Sequence, residues 1–145
     1  RISYPDGHRM GINEWAAAVN IELSKAIDFG ISISTNNTTI SVSIEVLNNI
    51  NNNYNMVVCL TESNIINWQK DGQIEVEDYE HNHVLRKVVN GTWGSSIELT
   101  NTKSSFSYDY TLDSSWIRSN CNIVVFVYDN SNKEILQVEK IHLTN

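Results

Sequence analysis

The residues best suited to chemistry are two histidines in the middle of the chain, in a segment rich in carboxylates. His81 and His83 are separated by one residue, so on a strand both side chains would point the same way. Imidazole nitrogens bind zinc and copper, and the acidic residues within 75–80 could add oxygen ligands. A metal site would still need a third ligand, for which His8 and His142 are candidates. Because two ligands from one segment make only a weak site, we favour the interpretation that His81 and His83 flank the start of a strand, one ring hydrogen-bonded to backbone and the other exposed.

Other polar residues surround this histidine pair. Arg86 could clamp a carboxylate or a sugar through its planar guanidinium, with Tyr79 as a stacking platform. We favour a structural role, in which Arg86 pairs with an acidic neighbour such as Glu62 and fixes the crossing between sheets, because a motif between strands usually serves packing before binding. In the same way, the Gln69 amide is expected to tie an irregular connection over residues 63–72 to a strand backbone.

Tryptophans offer a second candidate binding surface. Trp68, Trp93 and Trp116 are predicted to lie in connections between strands, where exposed rings can stack on sugars or peptides. The alternative is that the three rings cap the open ends of the fold. We favour capping, because no order of the strands is known that would bring the rings together.

Length, composition and charge exclude several classes of function. The chain has 145 residues, of which 41% are hydrophobic, enough for the core of one compact domain. Its formal net charge is −7 and its 10 basic residues are scattered, so nucleic acid and anionic membranes are not expected as partners. No apolar run approaches the roughly 20 residues of a spanning helix, so we expect no direct membrane insertion of this segment. The sequence has no Gly-x-Ser-x-Gly, His-Glu-x-x-His or phosphate-loop motif, and we expect neither catalytic residues nor a cofactor.

The two cysteines, Cys59 and Cys121, are too few for a disulfide scaffold and too far apart for a zinc knuckle. A bridge between them would close a loop of roughly 60 residues and stabilise the fold by about 4 kcal/mol. We favour the alternative that each thiol is a small buried side chain on its own strand, since cysteine is commonly buried for packing alone.

The elements that position these residues are a helix followed by strands. A helix is predicted over residues 12–25, because five apolar residues recur on one face and Lys25 lies near the end, where a cation favours the helix dipole. The face consists of Ile12, Trp15, Ala16, Val19 and Leu23. From Ile27 onward, apolar and polar residues alternate, which is typical of strands.

A tight hairpin is the most specific structural prediction. Two alternating runs flank Asn36 and Asn37, and asparagine tolerates the positive φ of a two-residue turn. In that register Ile33 faces Ile40, and every apolar residue of both strands lies on one face. The further predicted pairs are Ile31 with Val42 and Phe29 with Ile44.

More strands are predicted over residues 54–60, 106–112, 123–128 and 134–143. The run 123–128 is apolar on both faces and is therefore expected to be a central strand. One helical turn is predicted over residues 113–118. The whole pattern favours a mainly β fold, an antiparallel immunoglobulin-like β-sandwich preceded by one N-terminal helix.

Several of these segments resemble a Bacteroidetes family of outer-membrane lipoproteins named for a twenty-eight-kilodalton outer-membrane protein. The resemblance is carried by TESNIINWQ at 61–69, YEHNHVLR at 79–86, YDYTL at 108–112, VVFVYD at 124–129 and KEILQV at 133–138. It implies a thioredoxin-like domain joined to a β-sandwich. Residues 1–26, which include YPDGHR at 4–9, would then be the tail of that upstream domain, and residues 27–145 would be the sandwich.

The resemblance also implies a place in the cell and a class of function. It places the chain at the outer membrane or cell surface, outside the cytoplasm. We expect a non-catalytic, adhesin-like interaction module that binds a host or surface glycan or a protein ligand. The alternatives are an accessory domain that supports the upstream thioredoxin-like domain and, more weakly, a metal site at His81 and His83. The family-signature residues, expected to be structural, are Glu62, Gln69, Tyr79, His81, His83 and Arg86.

Overall fold

The computed structural model describes residues 11–48, 53–99 and 102–144. Within them lie one helix, α1 (Ile12–Leu23), a 3₁₀ turn at Arg118–Asn120, and ten strands. The strands are β1 (Phe29–Thr35), β2 (Thr39–Val46), β3 (Tyr54–Glu62), β4 (Ile65–Asp71), β5 (Ile74–His81), β6 (Val84–Val88), β7 (Ser95–Ile97), β8 (Lys103–Asp109), β9 (Cys121–Asp129) and β10 (Ile135–His142). The segment YPDGHR and His8 lie outside the described residues.

Two antiparallel sheets enclose the hydrophobic core. One has the strand order β1-β2-β8, and the other has the order β10-β9-β3-β6, with β7 pairing with β3 beside the main path. Both sheets send fully buried side chains into one cluster, among them Phe29 and Ile44 from the first sheet and Met56 and Ile123 from the second. Each such side chain stabilises the fold by about 1.5–3 kcal/mol. The predicted mainly β sandwich preceded by a helix is confirmed, whereas its immunoglobulin-like character and the boundary at residue 27 stay predictions.

The two central strands are covered on both faces, which explains their continuous apolar sequence. Strand β9 lies between β3 and β10, as predicted for residues 123–128. Cys121 belongs to the main core, whereas Cys59 belongs to a second small cluster with Val57 and Tyr128 on the other face of the sheet. The two thiols therefore point to opposite faces and are both free and buried, as favoured from the sequence. Burial raises the pKa of both cysteine thiols.

The β1-β2 hairpin forms, but its register differs by two residues from the predicted one. Ile33 pairs with Val42, and Ile40 pairs with Thr35. The turn is longer because the Asn36 side-chain oxygen accepts the backbone N–H groups of two threonines, at 2.9 and 2.8 Å, and neither turn asparagine has a positive φ. An even shift keeps alternate side chains on the same face, so the predicted apolar face is retained. The other predicted pairs shift likewise, to Ile31 with Ile44 and Phe29 with Val46.

Helix α1 leaves its apolar face exposed. Ala18 is its buried residue, whereas Ile12 and Leu23 are 77% and 78% exposed, and Trp15 and Val19 are more than half exposed. The predicted helix is confirmed, but among the described residues its predicted apolar face is not part of the main hydrophobic core. Within the described residues, no helix has the length and apolarity needed to cross a lipid bilayer.

Helix α1 ends at Leu23, two residues before the predicted end, so Lys25 lies just beyond the helix and not within it. Its ammonium instead contacts the carboxylates of Glu134 at 2.6 Å and Glu22 at 2.9 Å. The hydrogen bonds to these two groups raise the pKa of Lys25. This ion pair joins the segment after the helix to the turn before β10.

Candidate functional site

A two-stranded arm, formed by β4 and β5, extends from the sandwich. Glu62 pairs with Val84 on the sandwich side, and three residues further along each strand Ile65 pairs with His81, so the arm continues the β3-β6 ladder in the same register. Within the described residues, β4 and β5 pair with each other and with no other strand. The predicted irregular connection over residues 63–72 is therefore wrong, because most of it is strand β4. We call residues 65–81 the arm.

The arm joins the sandwich at a kink that explains part of the His-Asn-His sequence. Asn64 and His83 both have left-handed backbones, with φ of 58° and 57°. Asparagine and histidine are among the residue types most often found in this conformation. The Asn64 N–H donates to the Asn82 side-chain oxygen at 3.1 Å, and the His83 N–H donates to the Ser63 hydroxyl at 3.0 Å. His83 is thus a corner residue, and the strand geometry that would aim His81 and His83 in one direction is absent.

The tip of the arm is a two-residue turn. Asp71 pairs with Ile74, and Gly72 between them has a φ of +62°, which a residue with a side chain rarely adopts. Seven residues of β4 give the arm a length of about 23 Å. Halfway along, two residues of β5, Glu77 and Asp78, lie opposite the single Trp68 of β4, which is a β-bulge.

The cross-strand pairs assign the arm's side chains to two faces. The acidic face carries Ile66, Trp68, Lys70, Glu75 and Glu80, with the bulge residues opposite Trp68. The opposite face, which we call the apolar face, carries Ile65, Ile74, Val76, Tyr79 and His81 together with the polar residues Asn67, Gln69 and Asp71. An edge-on contact between the Tyr79 and His81 rings, with centroids 4.8 Å apart, agrees with this assignment.

Large apolar side chains of the arm are exposed on both faces. Trp68 is 50% and Ile66 59% exposed on the acidic face, and Ile74 is 67% exposed on the apolar face. Trp68 therefore lies on a strand, not in a connection as predicted. Gln69 is also a strand residue, and its amide donates to the adjacent Lys70 carbonyl at 3.4 Å. Within the part of the chain that the structure describes, this amide forms no hydrogen bond to another strand, in contrast to the prediction.

An ion pair with a buried carboxylate holds the base of the arm to the sandwich. The Arg86 Nε donates to Glu62 Oε2 at 2.7 Å, which is the pairing predicted from the sequence. The Glu62 side chain is 3% exposed, and its second oxygen accepts the backbone N–H of Ile117 at 2.8 Å. One carboxylate therefore connects β3, β6 and the segment before β9.

The Arg86 guanidinium has a further partner on that segment. It lies over the Trp116 ring, 5.8 Å from the centroid, rather than over the ring of Tyr79. Trp116 packs against the main core, so it caps the sandwich as favoured from the sequence, whereas Trp93 is 73% exposed. The predicted helical turn at 113–118 is a shorter turn, in which the Asp113 carboxylate accepts hydrogen bonds from Ser115 that lower the pKa of Asp113.

His81, His83 and His142 are the candidate metal ligands that the structure describes, and they do not form a metal site. Among the described residues, no three side chains of His, Cys, Asp or Glu are placed to hold a metal ion. His142 lies on β10, where its Nδ1 is 3.2 Å from the Asn122 side-chain oxygen.

Sequence reasoning missed the arm and its kink. The Asp71-Gly72 pair between two runs of strand-forming residues was the available signal, because Asp-Gly is typical of hairpin turns. The contribution of Ile117 to the Glu62 site had no local signal, since 55 residues separate the two.

Comparison with known proteins agrees with this architecture. The model of the family described as outer membrane protein Omp28 matches residues 9–145. Among solved structures, the chain is similar to a domain of the outer membrane lipoprotein Omp28 from Porphyromonas gingivalis, with 25% sequence identity and a TM-score of 0.55. That similarity covers 83% of this chain and 91% of the other. Among curated proteins, none matches the sequence.

Proposed function

Because this chain belongs to the Omp28 family of outer membrane proteins, we propose that it is a non-catalytic, adhesin-like interaction module that acts at the outer membrane. The ligand classes that suit such a module are a host or surface glycan and a protein. Affinity would come from exposed side chains on a rigid sandwich, with little rearrangement on binding.

The observation that carries this proposal is the arm. Its two faces expose Ile66, Trp68 and Ile74, each at least half accessible, on a ribbon that has no third strand in the described part of the chain. Exposed apolar side chains that cluster on one element are characteristic of interaction sites. The Glu62–Arg86 pair fixes the base of the ribbon, which supports a role in presenting it outward.

The proposal is tested by measuring binding of the purified chain to a panel of host and bacterial surface glycans and matrix proteins. An Ile66→Ser/Trp68→Ser variant should lose about tenfold or more in affinity for the ligand that binds, since each buried apolar side chain contributes about 1.5–3 kcal/mol. Its unfolding midpoint should stay close to that of the unchanged chain, because both residues lie outside the core.

The matched control is an Ile135→Ser/Val138→Ser variant on β10. These residues are 59% and 53% exposed, so the control removes similar apolar surface from a different edge of the protein. It should bind as the unchanged chain does. Equal binding by all three proteins would contradict the proposal.

A second function is favoured by helix α1. Its exposed face of Ile12, Trp15, Val19 and Leu23 is suited to packing against another domain. An accessory role for an upstream thioredoxin-like domain would account for this face. In a protein that contains that domain, Ile12→Ser/Val19→Ser should lower the unfolding midpoint, while the same change in the present chain should leave it unchanged. Equal effects in both proteins would exclude this role.

A further inference from the structure

Both outer edges of the arm are open to an additional strand. Within the described residues, β4 and β5 each use one edge to pair with the other. The remaining edge of such a ribbon presents N–H and C=O groups that a further strand can bind. An isolated two-stranded ribbon is only marginally stable, so a third strand would stabilise it.

The two edges are not equivalent. The bulge at Glu77 and Asp78 interrupts the regular repeat of β5 and bends it. Strand β4 runs from Ile65 to Asp71 without an extra residue, and among its backbone groups the Trp68 N–H donates to the Asn67 side-chain oxygen at 2.8 Å. The outer edge of β4 is therefore the better template for a strand of seven residues.

The charge of the arm selects the kind of strand. Five carboxylates and one lysine give residues 65–81 a formal charge of −4, out of −7 for the whole chain. On the acidic face, Glu75 and Glu80 share the surface with the half-exposed Trp68 ring. Lysine and arginine side chains suit this combination, because they bind carboxylates and also stack on tryptophan.

Other occupants fit less well. A second copy of the chain would bring two arms of charge −4 together, and like charges oppose that contact. Anionic membranes and nucleic acid are repelled for the same reason. A glycan has no peptide backbone with which to pair the open edge of β4.

We propose that the arm binds an extended segment of a partner protein rich in lysine or arginine, which adds as a third strand to the outer edge of β4. The carboxylates of β5 lie two strand spacings from that position, about 10 Å, a gap that glutamate and long basic side chains span together. Backbone pairing supplies affinity, and the acidic face selects basic side chains. This proposal rests on the proposed function and names the class of partner.

The test uses the whole chain and a labelled peptide of alternating lysine and valine, about ten residues long, with binding followed by fluorescence anisotropy. One comparison peptide replaces lysine with glutamate, and another carries N-methyl groups on alternate backbone nitrogens, which removes strand pairing but keeps the charge. Both should bind about tenfold or more weakly than the lysine peptide. Affinity for the lysine peptide should fall at about 0.5 M salt, where screening acts over only a few Å.

Two variants with the same change in charge separate the arm from the rest of the surface. Glu75→Gln/Glu77→Gln/Asp78→Asn/Glu80→Gln neutralises the arm and should weaken binding of the lysine peptide about tenfold or more. Asp28→Asn/Glu45→Gln/Glu98→Gln/Glu139→Gln removes one aspartate and three glutamates elsewhere and should leave affinity within about twofold. Hydrogen exchange of the complex should show slower exchange at β4.

The outcomes distinguish the two proposals. Equal binding of the N-methylated peptide would overturn strand addition, and equal binding to both variants would overturn the role of the arm's charge. Binding of a glycan that is lost in Ile66→Ser/Trp68→Ser, with no binding of the lysine peptide, would overturn this inference and leave the proposed function standing. Self-association lost in that same variant would assign the arm to a second copy. If every arm variant binds its ligands as strongly as the unchanged chain does, both proposals are refuted.

Discussion

Replacing Arg86 with methionine should destabilise the protein far more than replacing a cation of a surface ion pair. The change keeps an unbranched side chain against Trp116 but leaves the Glu62 carboxylate, 3% exposed, without its positive partner. Breaking a buried pair by removing one partner costs about 3–5 kcal/mol. Arg86 is 30% exposed and the Ile117 N–H stays bound to Glu62, so we expect the lower end of that range, about 3 kcal/mol.

The matched control is Lys25→Met. The Lys25–Glu134 contact is as short, 2.6 Å against 2.7 Å, but its side chains are 45% and 27% exposed. Water solvates both charges, so the loss of this ion pair should destabilise the protein far less than the loss of Arg86. The two variants therefore differ in the burial of the carboxylate and not in the length of the contact.

Urea unfolding followed by tryptophan fluorescence would measure both changes, and in thermal unfolding the Arg86→Met variant should melt about 10 °C lower. Adding Glu62→Gln should recover about 1 kcal/mol or more, because the neutral amide still accepts the Ile117 N–H and no buried charge remains. Equal costs for Arg86→Met and Lys25→Met, or a double variant less stable than Arg86→Met, would refute the reasoning.

Three further predictions concern other parts of the fold. Gly94→Ala should destabilise the protein by several kcal/mol, because at its φ of +70° an added Cβ would lie 2.1 Å from the Met56 carbonyl oxygen. Gly91→Ala, at a φ of +89° but in open space, should cost about 1 kcal/mol. Urea unfolding measures both costs, and equal costs would contradict the prediction. Both cysteine thiols should resist alkylation until the chain unfolds, and fast labelling of the folded chain would refute this. Because burial raises the pKa of both thiols, the free energy of unfolding should hold below about pH 8.5 and decline as the pH rises through the thiol pKa values of the folded protein. His81→Ala/His83→Ala should leave ligand binding intact and lower stability slightly, because the change removes the Tyr79–His81 ring contact and replaces the corner residue His83. Lost binding at an unchanged melting temperature would refute this prediction.

The core strands could be predicted because their burial imposes a simple pattern. Alternate side chains of β1 and β2 face one core, and β9 is apolar on both faces because it is covered on both. The register of the first hairpin could not be predicted in the same way. A shift by two residues leaves every side chain on the same face, so hydrophobic alternation cannot distinguish the two registers. The hydrogen bonds of the Asn36 side chain favour the longer turn.

The arm could not be inferred from hydrophobic alternation, because neither of its faces is buried by the sandwich. Its side chains are mostly exposed, so nothing forces Ile66 or Trp68 into a core pattern. The Glu62–Arg86 pair could be predicted from the sequence, since a carboxylate that is buried in the fold tends to pair with a nearby cation. The Trp116 and Ile117 contacts depend on tertiary folding that brings a distant segment to the end of β3.

The most direct test of the central claim is to shorten the arm. Ile65 and His81 are a cross-strand pair, so residues 66–80 can be replaced by an Asn-Gly turn that closes a hairpin between them. If the arm is the binding surface, the shortened protein should unfold at nearly the same temperature and lose its affinity for the ligand. A shortened protein that keeps its fold and binds the ligand as strongly as the full chain would contradict the claim.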